Sequence, residues 1–154
     1  MSKRIKKYIP KIFESDSLLL PKRKNGNNAT DVSANIYGSM MLSDAWNELT
    51  LRQIKLYIAC KHQYYAEKKK PDELITVEEK VDNKEPDLSK RFTMNKSKWC
   101  DIYKIYPKSA SAIFYKDIVA LETLGFIDII QRGGKSGYKD IYQFSSRWRG
   151  YKKH

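Results

Sequence analysis

An α+β fold is predicted by three observations. Apolar residues recur with helical spacing over about 51–67, 95–103 and 109–125. Two strand-like runs then follow, Gly125-Phe-Ile-Asp-Ile-Ile-Gln131 and Tyr138-Lys-Asp-Ile-Tyr-Gln-Phe144. Between them lies Arg132-Gly-Gly-Lys-Ser-Gly137, whose glycines supply positive φ at a turn without steric cost. The runs and their loop therefore read as a β-hairpin. With 154 residues, 41% of them hydrophobic, the chain can build one ordinary core with extensions.

The elements follow in order. Residues 1–42 hold Pro10, Pro21 and the Lys22-Arg-Lys-Asn-Gly-Asn-Asn run without a sustained period, so a basic, largely flexible arm is expected there. A single domain is expected over 43–151. Ser43-Asp-Ala-Trp46 opens a short helix that packs Trp46 on that domain. Thr50-Leu-Arg-Gln53 has the spacing of a capping box, with Leu49 and Ile54 placed as a hydrophobic staple. The helix it starts runs to about 67 and is expected to bury Ile54, Tyr57, Ile58, the Lys61 stem and Tyr65, before Lys68-Lys-Lys-Pro71 ends it. Residues 71–90, rich in Glu, Asp, Lys and Pro, read as an exposed acidic excursion, with a short strand conceivable around Leu74-Ile-Thr-Val.

Phe92-Thr-Met94 reads as a short strand. Asn95 is a good N-cap for a helix through about 103 with Trp99 and Ile102 inward. Tyr106-Pro107 breaks the chain, because the residue before proline avoids helical angles. The next helix starts near Ser109 and ends at Gly125 as its C′ residue. At about 100° per residue it places Ala110, Phe114, Asp117, Ile118, Leu121 and Leu124 on one side, and Lys108, Ser109, Ala112, Tyr115, Lys116, Val119 and Thr123 on the other. After the hairpin, Ser145-Ser-Arg-Trp148 turns back to cover the core with Trp148.

Charge is unevenly spread. Thirty Lys and Arg against eighteen Asp and Glu leave a net charge of +12, which favours an acidic partner. Residues 1–28 carry eight basic and two acidic groups, residues 71–90 three and seven, and residues 91–154 thirteen and five. Two helices joined by a turn, then a basic glycine-rich hairpin, make the layout of a winged helix-turn-helix. Double-stranded DNA is the expected partner. Lys108, Ser109, Ser111, Ala112, Tyr115 and Lys116 on the second helix are the candidates for the major groove, and Lys96 and Lys98 before the turn are further candidates for DNA contact. Arg132, Lys135 and Lys139 on the wing, with Arg147 and Arg149 beyond it, are candidates for phosphate or minor-groove contact. The rival reading is a winged helix that docks protein instead of DNA.

The chain resembles the winged-helix proteins of conjugative and plasmid elements of Gram-positive bacteria. The likeness rests on Tyr37-Gly-Ser-Met-Met-Leu-Ser-Asp-Ala-Trp46, Leu49-Thr-x-Arg-Gln53, Leu56-Tyr57, Tyr64-Tyr65, Phe114-Tyr-Lys-Asp117, Leu124-Gly-Phe-Ile127 and Ile141-Tyr-Gln-Phe-Ser145 with Trp148. The resemblance implies upkeep of a mobile element. An accessory factor acting at an origin of transfer, beside a relaxase, is preferred. A replication initiator working with a replication protein, and a transcriptional regulator, stay open.

Other chemistry is weaker. Gly133-Gly-Lys-Ser136 imitates the end of a phosphate-binding loop, but it lacks the leading glycine, where Ile129 stands, and runs into a strand. Two histidines cannot build a nuclease metal cluster, and Cys60 and Cys100 read as isolated thiols. No enzyme activity, cofactor or metal is expected. The longest apolar run falls far short of the roughly 18 residues of a membrane span, and the basic start lacks the features of a secretory signal, so a cytoplasmic, non-inserting protein is expected.

Overall fold

A computed structural model describes residues 15–27, 30–66, 70–134 and 137–154. The chain divides into two compact units, Met1–Val32 and Ser33–His154. In the first, Asp16 caps a 3-10 turn, Ser17–Leu19, by accepting from the Leu18 amide, and Asp31 accepts from the Ser15 hydroxyl at 2.6 Å and the Asp16 amide at 3.1 Å.

The second unit is α+β, with a small three-stranded antiparallel sheet. Its helices are α1 (Gly38–Met41), α2 (Asp44–Asn47), α3 (Leu51–Ala66), α4 (Pro71–Leu74), α5 (Val77–Val81), a π-helical segment (Ser97–Ile102) and α6 (Ser111–Thr123). Strands β1 (Arg91–Phe92), β2 (Ile127–Gln131) and β3 (Ile141–Phe144) pair in the order β1-β3-β2. Ile127 faces Phe144, and the register shifts between Ile129 and Gln131. A last 3-10 turn, Arg147–Gly150, closes on the sheet end.

The capping box at α3 forms as the sequence predicts. The Gln53 amide donates to Thr50 Oγ1 at 3.2 Å, and the Thr50 amide donates to Gln53 Oε1 at 3.0 Å. The buried face of α3 differs from the expected one. Leu56, Tyr57, Ala59, Cys60 and Gln63 are buried, whereas Ile58 and Tyr65 are exposed. This helix has apolar residues on more than one side, and the docking of α6 and β1 decides which side is covered.

Residues 71–90 also depart from expectation. No strand forms at Leu74-Ile-Thr-Val; two short helices occupy the stretch, with Leu74 and Thr76 buried. Thr76 and Glu79 make a second capping box, the Glu79 amide donating to Thr76 Oγ1 at 3.1 Å and the Thr76 amide to Glu79 Oε1 at 3.0 Å. The Arg91 guanidinium donates to both Glu79 carboxylate oxygens, at 2.6 and 3.0 Å, and to the Leu74 carbonyl at 3.0 Å. Glu79 is therefore a structural anion rather than a solvated one.

Asn95 caps as expected, accepting from the Lys98 amide at 3.1 Å, but the turn it starts is π-helical, with Tyr103 N–H donating to the Lys98 carbonyl at 2.9 Å. Trp99 is buried and Ile102 is exposed, against the expectation that both point inward. At the end of α6, Phe126 N–H donates to Leu121 O and Gly125 N–H to Glu122 O, the paired bonds of a Schellman motif with Gly125 at φ +86°.

The core is aromatic. Tyr57 lies 5.2 Å from Phe126 and 6.0 Å from Phe144, Phe92 stacks on Phe144 at 4.4 Å, and Trp99 stacks on Phe114 at 5.1 Å. Trp148 stacks parallel on Phe126, covering the core as predicted. Ile36 and Met40, from the stretch read as the end of the arm, pack in this core.

Candidate nucleic-acid interface

Helix α6 is positioned from its inner side. Ala110, Phe114, Asp117, Ile118 and Leu121 are all buried, matching the face read from 100° spacing. Asp117 is the anchor, and it is 1% exposed. It accepts from Arg52 Nε at 2.6 Å, from the second Arg52 nitrogen at 3.2 Å, from Gln53 Nε2 at 3.2 Å and from the Tyr106 hydroxyl at 2.5 Å. Burial alone pushes this carboxyl up. The hydrogen bonds from Arg52, Tyr106 and Gln53, with the Arg52 charge, outweigh it and hold the group below its ordinary range. One carboxylate thus ties α6 to the start of α3 and to the turn before α6.

The outer side stays open. Ala112, Lys116 and Val119 on it are exposed and Ser111 partly so; Lys108 and Ser109, expected on the helix, are exposed in the turn before it, because α6 starts at Ser111. Lys96 is exposed and Lys98 half-buried. Lys96 and Lys108 both lie near the Cys100 thiol, on which both charges act. That thiol is raised by burial and by Asp101, an effect the two lysines partly oppose.

The hairpin meets the middle of α6. The Tyr115 hydroxyl donates to Asp140 Oδ2 at 2.8 Å, the Gly133 amide donates to Asp140 Oδ1 at 2.7 Å, and the Arg132 guanidinium sits 5.6 Å over the Tyr115 ring. Burial first, and then the bond to Asp140, push the Tyr115 phenol up to about 12. Lys139 is exposed, with its ammonium 3.5 Å from Glu73. Lys135, the remaining wing cation expected at the interface, lies outside the described residues.

The two arginines beyond the hairpin stand apart from this group. Arg147 forms a 2.6 Å ion pair with Asp128 and donates to the Glu122 and Ile127 carbonyls at 2.9 and 3.2 Å. That places it at the C-terminal end of α6, about 20 Å from the N-terminal end of the helix at 1.5 Å per residue. There a cation complements the negative end of the helix dipole. Arg149 is exposed, with its guanidinium 5.5 Å from the Trp148 ring.

Sequence reasoning placed Asp117 inward but missed Asp140 as the residue joining helix to hairpin, because nothing in the pattern of a strand marks which acid faces a neighbouring helix. Arg91, counted there among the positive groups of 91–154, is buried against Glu79. Lys108 just before α6, Lys116 on it and Arg132 and Lys139 on the hairpin are exposed cations of this region, with Lys96 beside Cys100. Among the described residues no group of three or more His, Cys, Asp or Glu side chains could hold a metal ion, and no helix is long and apolar enough to cross a membrane. Comparison with known protein families, with characterised proteins and with solved structures finds no match.

Proposed function

We propose that this chain is a winged-helix protein that binds double-stranded DNA, inserting the N-terminal half of α6 into the major groove and laying the β2–β3 hairpin on the adjacent backbone. The order helix, strand, helix, helix, hairpin, with the first strand pairing to the last, suits that fold. The observation that carries the reading is the division of α6. Its inner side is fully committed to the core and Asp117, while its outer side presents Ala112 and Lys116 to solvent, with Lys108 and Ser109 exposed in the turn just before it. Small residues admit close approach to base edges, and the lysines and hydroxyls can donate to phosphates and bases.

The proposal extends to a mobile genetic element, with action as an accessory at an origin of transfer, on the strength of the sequence resemblance. Replication initiation and transcriptional control are its alternatives, and selection of bound fragments from the parent element's DNA separates them. An intergenic origin is the expected result, and a promoter would turn the reading to regulation.

The direct test is duplex binding across a salt series. Each phosphate neutralised should steepen the fall of log K with log salt by about 0.9. Lys116→Ala is expected to weaken a preferred duplex by roughly 1–3 kcal/mol more than an unrelated one. No duplex binding at low salt would end this reading and favour the protein-docking rival.

A further inference from the structure

Tyr115 sits on the outer side of α6, where a base-reading side chain is expected, yet its hydroxyl is already used. It donates to Asp140 on the far side of the hairpin loop. Asp140 in turn accepts the Gly133 amide with its other oxygen, so one carboxylate closes the base of the loop and grips the helix at once. Gly133 is placed so that a Cβ would overlap the Tyr138 carbonyl oxygen, which leaves the two sides of the loop in direct backbone contact there. The Arg132 guanidinium, one residue away, rests on the Tyr115 ring rather than extending into solvent alone.

We infer that Tyr115 and Asp140 are positioning residues that clasp the wing to α6, so that the placement of Arg132 and its neighbours on DNA is set by this contact rather than by the loop itself. The inference rests on the duplex-binding reading above and specifies how that interface is held. A β-hairpin with glycines at three of its loop positions has little rigidity of its own, since glycine leaves its backbone the most freedom. A side-chain bond from a packed helix supplies the missing constraint. Only the backbone is bridged at Gly133, whereas Tyr115 links two elements; removing its hydroxyl should free the wing without disturbing the core face of α6.

The test uses the full chain, a duplex selected for tight binding and a pool of random-sequence duplexes. Tyr115→Phe keeps the ring under Arg132 and removes only the hydroxyl. It should weaken both probes by the same factor, about three- to tenfold, as expected for one lost hydrogen bond. Asp140→Ala should do at least as much, and the double variant no more than Asp140→Ala alone, because both act through one contact. Without DNA, Gly133 amide exchange should quicken in Asp140→Ala, and the Tyr115 phenol should titrate nearer its ordinary value of 10. Unchanged affinity in Tyr115→Phe would overturn the clasp, as would loss confined to the selected duplex, which would make Tyr115 a base reader. Should Asp140→Ala not fold, Tyr115→Phe carries the test. If the wild-type chain binds neither probe, the duplex reading and the wing's role in it both fail, while titration of the Tyr115 phenol in wild type and Asp140→Ala still decides whether the contact itself exists.

Discussion

Three polar side chains surround Asp117, two from the first turn of α3 and one from the turn before α6, and each bond is a constraint on α6. Replacing Asp117 by Ala removes a buried acceptor and leaves Gln53 and Tyr106 with unpaired polar groups. Arg52 loses less, because 46% of its side chain is in solvent. The expected cost is about 2–4 kcal/mol, read as a lower urea midpoint with an unchanged slope. Glu79 makes the matching argument for acid. Its bonds to Arg91, which dominate, and to Thr76 hold it at about 2, against 4.5 for an ordinary glutamate. A carboxyl depressed in the folded state stabilises fully above its unfolded value and loses that contribution as pH falls through the folded one. Stability should therefore decline between about pH 4.5 and 2, and Glu79→Gln should flatten the dependence of the urea midpoint on pH over that window. Equal slopes in variant and wild type would remove Glu79 from the acid response.

Both capping boxes make a second connection. Gln53 closes the first turn of α3 and donates to Asp117; Glu79 closes the first turn of α5 and binds Arg91. Each short-range signal is thus also a long-range tie, so a helix end is fixed to another element at the point where it begins. The glycine at the α6 C-terminus works the same way. Gly125 holds φ +86°, and a Cβ there would lie 2.5 Å from the Trp148 amide. Gly125→Ala combines a left-handed penalty of about 1–2 kcal/mol with a clash against backbone. It should lower the melting temperature and loosen the packing of Trp148 on Phe126, visible as a change in tryptophan fluorescence. Gly150→Ala, where a Cβ meets nothing within 4 Å, is the control and should melt like the wild type.

Across the molecule, charge and core occupy different places. The core residues described run from Ile36 to Tyr151, all within Ser33–His154. A fragment beginning at Ser33 is accordingly expected to melt cooperatively, close to the full chain. If the proposed duplex interface is right, the same fragment should bind DNA with a shallower salt slope, because eight basic groups of residues 1–28 are gone. Non-cooperative melting of the fragment would show that the first unit completes the fold. The count of thirty Lys and Arg overstates the cations open to a partner, since Arg91 and Arg147 spend theirs on Glu79 and Asp128.

Local chemistry in the sequence determined where elements begin and end. Thr50 and Gln53, Asn95, Pro107 and Gly125 each act through bonds or steric limits reaching only a few residues, and each boundary appears near its place. The inner side of α6 was also legible, because its apolar residues form one stripe. Tertiary structure decided what a stripe could not. Helix α3 is apolar on several sides, so the partners that dock on it chose Leu56 and Cys60 over Ile58 and Tyr65. The Thr76–Glu79 spacing was readable as a cap, but its acidic surroundings suggested a solvated excursion until Arg91 supplied the counter-charge. Tyr115 lay on the predicted outer face, and periodicity ends there. That its hydroxyl faces Asp140 depends on how a hairpin folds back across a helix, a meeting of residues 25 apart that no local rule encodes.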